Sequence, residues 1–147
     1  MSDGSLDSAA GKTLAERVAR AMFARDRAAQ AMGIEVLAVG EGYARVAMSV
    51  TEAMLNGHDI CHGGYVFALA DTAFAYACNS RNERNVALQC TISFAAAARA
   101  GERLEAVAEE RTQGGRTGTF DVTVSGPERT VVALFRGTNY RVSGALV

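Results

Sequence analysis

The chain has 147 residues, 49% hydrophobic, 21% charged and 7% aromatic, with 15 basic against 16 acidic side chains and a formal charge of −1. That length suits one domain burying roughly two-thirds of its unfolded surface, with no room for a second core. A single Pro among 15 Gly excludes collagen-like sequence, the apolar fraction excludes global disorder, and the balanced charge excludes a general attraction to nucleic acid or anionic lipid.

Residues 1–12 (MSDGSLDSAAGK) are small and polar, which predicts a frayed tail. They lack the basic start and apolar run of a secretory leader. Residues 13–147 read as a single domain. Thr13-Leu14-Ala15-Glu16 matches a capping box, and the Ala-rich sequence beyond it predicts a helix to about Met32, with Val18, Met22 and Phe23 on one face and Gly33 as its stop. From Ile34 the period becomes two: Val36 and Ala38, then Ala44, Val46, Met48 and Val50, alternate with polar positions across Gly40-Glu41-Gly42, which predicts a hairpin.

Asn56 to Gly64 (NGHDICHGG) forms an irregular loop dense in Gly and polar groups. Tyr65 to Cys78 is apolar on every side except Asp71 and Thr72, which predicts a helix wrapped by other structure. Strand-like runs follow at about 85–97, 102–112, 117–125 and 130–142, separated by Gly-containing turns that predict an antiparallel meander. A sheet curled around one apolar helix satisfies these patterns, an α+β arrangement. No apolar run approaches the roughly 20 residues that span a bilayer, so no membrane partner is expected.

Asp71 is the only charged residue of the apolar helix. Burying a carboxylate costs several kcal/mol unless it is well bonded or has a chemical task, and desolvation would raise its pKa toward that of a general base or nucleophile at neutral pH. The same position also suits a polar strip or a cap. His62-Gly63-Gly64 stands where the loop becomes the helix. A helix start offers unsatisfied amides and a positive dipole end, and glycine lets a ligand oxygen approach them. Two glycines can equally make a plain turn. Asn56, seven residues before Gly63, offers a side-chain amide donor or a turn cap. Eight residues separate Gly63 from Asp71, roughly 12 Å of helix, so the two cannot meet one reacting carbon within one chain. If both act on one substrate, Asp71 comes from a second subunit whose helix runs antiparallel, and a two-fold dimer carries two composite sites.

The segment MLNGHDICHGGYVFALADTAFAYACNS resembles the signature of hotdog-fold acyl-CoA thioesterases, most nearly the phenylacetate-degradation (PaaI-type) family. The resemblance runs from about Met22 to Ser143 and includes ALFRGTNYRV. It implies a hotdog fold, dimers paired into homotetramers, and hydrolysis of aryl-acetyl-CoA thioesters with hydroxylated phenylacetyl-CoA as the expected best substrate. It places the catalytic carboxylate on Asp71, the carbonyl-polarising amide on Gly63, a loop amide side chain on Asn56, and a loop-organising histidine on His62. Gly64, Thr72, Arg116 and Thr117 are the expected substrate contacts, and no cofactor or metal is expected. Asp71 then either deprotonates water or attacks to give a mixed anhydride. Relatives commonly carry Arg-Pro shortly after the Phe of the next strand; here Phe94 runs into Ala95–Ala98. Arg111, Arg116 and Arg136 are the candidate partners of coenzyme A phosphates.

Other readings of the loop are weaker. His58-x-x-Cys61-His62 suggests metal ligands, but Cys78 and Cys90 lie in apolar segments without zinc spacing. Cys61 as a nucleophile lacks a third, orienting group. The odd cysteine count predicts free thiols and a reducing, cytoplasmic setting. A hotdog hydratase or dehydratase using His62 and Asp71, and a non-catalytic acyl-CoA-binding module, are the alternatives within the same fold.

Overall fold

The computed structural model describes residues 13–147, so the tail expected at 1–12 lies outside the described residues. Thr13 caps the first helix as its sequence predicts: its Oγ1 accepts from the Glu16 amide at 3.1 Å, and α1 runs over Leu14–Arg25. The helix does not continue to Met32. It breaks at Asp26, whose backbone N–H donates to the Phe23 carbonyl and whose Oδ1 accepts from the Ala29 amide at 3.0 Å, opening α2 (Arg27–Ala31). A short acidic side chain that bonds nearby amides competes with the helical ladder, and here the competition wins. Gly33 then turns the chain out of the helix at φ +67°.

β1 (Glu35–Gly40) and β2 (Tyr43–Ser49) form the expected hairpin. The central helix α3 covers Gly63–Cys78 and is followed by β3 (Asn85–Phe94), β4 (Arg103–Gly114), β5 (Thr117–Ser125) and β6 (Val131–Arg141). One antiparallel sheet results, in the order β1-β2-β4-β5-β6-β3. The meander therefore holds for β4 to β6 only. β3 pairs with β6 at the far edge, and residues 95–102 carry the chain across to β4 beside β2. That connection is too long for a tight hairpin. It is pinned by the Ala95 and Ala96 amides, which donate to Val132 O, and by Ala98 O, which accepts from Cys61 N at 2.7 Å.

Alternate strand residues face α3, among them Val46 and Met48 of β2, Leu104 of β4, and Phe120 and Val122 of β5, each 0–1% exposed. Full burial of such a side chain contributes about 1.5–3 kcal/mol. Phe74 of α3 meets Phe120 and Phe135 with ring centroids 5.7 and 5.8 Å apart. Gly137 on β6 gives it room, since a Cβ there would come within 2.8 Å of the Phe74 ring. The helix is not wrapped on every side. Val66, Leu69, Ala70, Ala73, Phe74, Tyr76 and Ala77 are buried, whereas Gly64, Ala68, Asp71, Thr72 and Ala75 form a partly open stripe. The small residues of that stripe made the helix look apolar all round in sequence.

Candidate active site

The loop before α3 folds back on itself through a Leu55–Cys61 bridge and a bond from the His62 amide to Met54 O at 2.8 Å. Asn56 sits inside this fold. Its Oδ1 accepts from the His58 amide at 2.9 Å and the Ile60 amide at 3.4 Å, which leaves the Nδ2 group as its available donor. His62 is the N-cap of α3. Its Nδ1 accepts from the Gly64 amide at 3.0 Å, and its carbonyl accepts from Tyr65 at 3.0 Å. The Gly64 N–H is thereby engaged, while the Gly63 N–H donates to no acceptor among the described residues. The first amide of a 16-residue helix thus remains available at the positive end of the dipole. The ring of Phe94, at the end of β3, lies where a Gly63 side chain would go, 2.9 Å from the position of an ideal Cβ.

Asp71 lies two turns further along, part-buried on the open stripe, with no hydrogen bond to its carboxylate among the described residues. Burial pushes its pKa up, and the charge of Asp26 pushes it further in the same direction. Asp26 reaches the helix from the α1–α2 break: its Oδ2 accepts from the buried Tyr76 hydroxyl at 3.3 Å. Cys78 and Cys90 flank the same region. Burial first and the Asp71 charge second raise both thiols, Cys78 to about 12, so they are protonated at neutral pH. Thr72 spends its hydroxyl hydrogen on Ala68 O at 2.6 Å.

Other residues singled out in sequence fall elsewhere. Thr117 pairs with Tyr140, and Tyr140 with Val86, so the exposed Arg116-Thr117 turn lies at the C-terminal end of α3, opposite Gly63. Arg111 and Arg136 both bond Asp121 on the sheet face turned away from α3, at 2.6–2.9 Å, and so are removed from Gly63 and Asp71 of their own chain. The hydrogen bond from Arg136 first, then that from Arg111, and last their charges, hold the Asp121 carboxyl down at about 2 against its burial. Phe74 and Tyr76 belong to the core, and Phe67 packs edge-on against Phe135 at 5.4 Å. Among the described residues no three His, Cys, Asp or Glu side chains gather as a metal site. Cys61 is buried, and burial raises its thiol, which disfavours a thiolate nucleophile.

Residues 58–133 match the pattern of the thioesterase superfamily. The chain belongs to that superfamily. It is 48% identical over 128 residues to acyl-coenzyme A thioesterase PaaI of Escherichia coli (strain K12), a match spanning 87% of this chain and 91% of that protein. The solved structure of the E. coli PaaI protein from the phenylacetic acid degradation operon agrees with a TM-score of 0.89 at 48% identity, over 90% of this chain and 96% of the other. A hypothetical thioesterase of Streptococcus pneumoniae, solved with coenzyme A, agrees with a TM-score of 0.73 at 26% identity, over 76% and 88% of the two chains. The protein is therefore a thioesterase with the hotdog fold.

Two neighbours of Gly63 and Asp71 are not singled out by the sequence. Asp26 was hidden inside an apparently continuous helix; its only local signal is an N-cap residue type in an Ala-rich run. Phe94 looked like an ordinary strand residue, because its contact with Gly63 is made across 31 positions of chain.

Proposed function

We propose that this thioesterase hydrolyses acyl-CoA thioesters to the free acid and CoA, with aryl-acetyl-CoA, hydroxylated phenylacetyl-CoA foremost, as the acyl class. The observation that carries the reading is the Gly63 amide, unclaimed among the described residues, at the start of a helix whose one carboxylate, Asp71, is half-buried and has no hydrogen bond among them. The CoA thioester is supported by the name of the E. coli relative and by the coenzyme A held in the streptococcal structure. The aryl-acetyl group is supported by the operon of the E. coli PaaI protein.

The thioester carbonyl accepts from the Gly63 N–H, with the Asn56 Nδ2 as a second donor and His62 holding the turn in shape. As the tetrahedral oxyanion forms, these donors and the helix dipole stabilise it. Asp71 of the partner either takes a proton from the attacking water or attacks the carbonyl itself, giving an anhydride that water then cleaves. In both routes the C–S bond breaks, the sulfur leaves as CoA thiol, and one water is consumed.

The shared site requires a dimer with antiparallel helices. Support comes from the β3 edge, which pairs with β6 on one side only and exposes Val86 and Leu88, 48% and 62% accessible. Pairing two β3 edges about a two-fold axis lays each chain's Arg116-Thr117 end beside the partner's Gly63 end, where both contact coenzyme A. Gly64 and Thr72 border the same cleft from the open stripe. Two such dimers make the tetramer. No helix among the described residues is long and apolar enough to cross a membrane. We place the enzyme in the cytoplasm, a reading supported by its free cysteines.

The test is release of CoA thiol from a panel of acyl-CoA esters. Phenylacetyl- and hydroxyphenylacetyl-CoA are expected to be turned over fastest, and Asp71→Asn to lower kcat by about 10²–10⁴. An enzyme that liberates no thiol from any ester, or an Asp71→Asn variant at full rate, contradicts the proposal.

A further inference from the structure

Large apolar side chains left exposed ask for an explanation when they stand beside a site. Phe94 is 56% exposed, and it is the last residue of β3. Cys90 and Ile92 on the same strand face pack against the core, but Phe94 lies past the start of α3 and has Gly63 beneath it. The contact is close. The ring stands 2.9 and 3.2 Å (Cζ and Cε1) from the position a Gly63 Cβ would occupy. Since a Cβ stands about 2.5 Å from its own nitrogen, the ring edge lies within about 5.5 Å of the Gly63 amide.

We propose that Phe94 is a specificity-determining residue of this thioesterase, the wall against which the aromatic ring of an aryl-acetyl group packs while the Gly63 amide holds the carbonyl. The inference rests on the reading of Gly63 and of the acyl class given above. Reach supports it. In an aryl-acetyl thioester one methylene separates the ring from the carbonyl carbon, and aromatic pairs favour centroid distances of about 4.5–7 Å in offset or edge-on contact. A carbonyl bonded to the Gly63 N–H brings the acyl ring into that range of Phe94. An acetyl group has nothing to offer the wall. The arrangement also explains why position 63 is glycine: any side chain would push the ring off the amide. With 56% of its surface exposed, Phe94 has ring surface to offer an acyl group.

The experiment compares kcat/KM for phenylacetyl-CoA and acetyl-CoA in the wild type, Phe94→Ala, Phe94→Leu and Phe94→Tyr. The phenylacetyl-to-acetyl ratio is expected to fall about ten- to a hundredfold in Phe94→Ala and by less in Phe94→Leu, and to survive in Phe94→Tyr, with acetyl-CoA turnover held within about threefold. A ratio that stays at the wild-type value, or two substrates that lose rate equally, overturns the role of Phe94. If Phe94→Ala does not fold, the Leu and Tyr variants decide by the same ratio. Asp71→Asn is assayed alongside. Thiol release by the wild type that Asp71→Asn abolishes, together with an unchanged Phe94 ratio, removes this inference alone. A wild type inactive on both esters, or an active Asp71→Asn, removes the site reading and this inference with it.

Discussion

At the C-terminal end of α3 the chain caps the helix carbonyls with its own side chains, and at the N-terminal end it leaves the first amide without an acceptor among the described residues. Asn79 Nδ2 donates to Ala75 O at 2.9 Å, Asn85 Nδ2 donates to Cys78 O at 2.9 Å, and the Asn85 amide donates to Asn79 Oδ1 at 2.8 Å. Asn139, fully buried on β6, donates to Asn85 Oδ1 at 2.9 Å and Gln113 Oε1 at 3.2 Å. Nearby Arg81 grips both Glu110 oxygens at 2.8 Å and Glu41 at 2.9 Å. The other end has one cap, the exposed His62, and an amide without an acceptor among the described residues. Every helix begins with such unfilled groups at both ends. An end that the chain fills itself works as an anchor, while an end left unfilled beside an exposed ring is fitted to receive an oxygen from elsewhere.

The largest effect that would sharpen this contrast separates activity from stability at Asp71. Its carboxyl is raised above the ordinary value of 3.8, by burial first and by the Asp26 charge second. The folded chain therefore holds this proton more tightly than the unfolded one. The resulting stabilisation is present below the unfolded value and is lost as pH rises through the folded value. At pH 7 the ionised group favours unfolding, so Asp71→Asn is expected to raise the melting temperature there while it lowers the rate. The gain should shrink as the pH is taken below the carboxylate range. A variant that melts lower than wild type at pH 7 would assign Asp71 to the anchor instead.

Asn139 supplies the opposite case. Asn139→Ala removes a fully buried amide and its two bonds, to the half-buried Asn85 Oδ1 and to Gln113 Oε1. Each lost bond costs about 0.5–1.5 kcal/mol, read together as a fall in the denaturant midpoint. Turnover is expected to stay within about threefold of wild type, because Asn139 is fully buried and touches neither the Gly63 amide nor the Asp71 carboxylate; any change should fall on KM, through the neighbouring Arg116-Thr117 end. A large loss of kcat with intact stability would break the division between the two ends.

What sequence made legible follows the same division. The N-cap at Thr13, the hairpin around Glu41-Gly42 and the helix starting at Gly63 were readable because each is encoded over a few neighbouring residues. Gly63, His62 and Asn56 could be singled out as one loop for that reason, and Asp71 because a lone charge in an apolar helix is conspicuous. The place of β3 was not readable, since the same Gly-containing turn serves a hairpin and a crossover to a distant strand. The open stripe of α3 was concealed by Ala68 and Ala75, whose small side chains carry no sign of which face is covered. The pairing of Arg111 and Arg136 with Asp121 was not readable either, because it depends on strand register, which their spacing does not reveal.

The smallest expected effect concerns Asp26, which joins the two regions by breaking the first helix and touching the third. Among the described residues four titratable groups bear on this region: Asp26 from the α1–α2 break, Tyr76 and Cys78 on α3 itself, and Cys90 from β3. The Tyr76 hydroxyl is raised by burial and by Asp26, and both thiols are raised by burial, so all three are neutral across the working range. Asp26 is then the one nearby group whose charge adds to the burial of Asp71. Asp26→Asn keeps an acceptor for the Ala29 amide and removes the charge. Asp71 should ionise more easily, and the acidic limb of the kcat/KM profile should move to lower pH with little change on the plateau. Burial is the larger cause and is untouched, so the limb should remain above the range of an exposed aspartate. Tyr76→Phe leaves the Asp26 charge in place and is expected to leave the limb on the wild-type side of Asp26→Asn. A limb that does not move in Asp26→Asn would mean that burial alone sets the basicity of Asp71, and that the helix break serves only to seat α1 on the sheet.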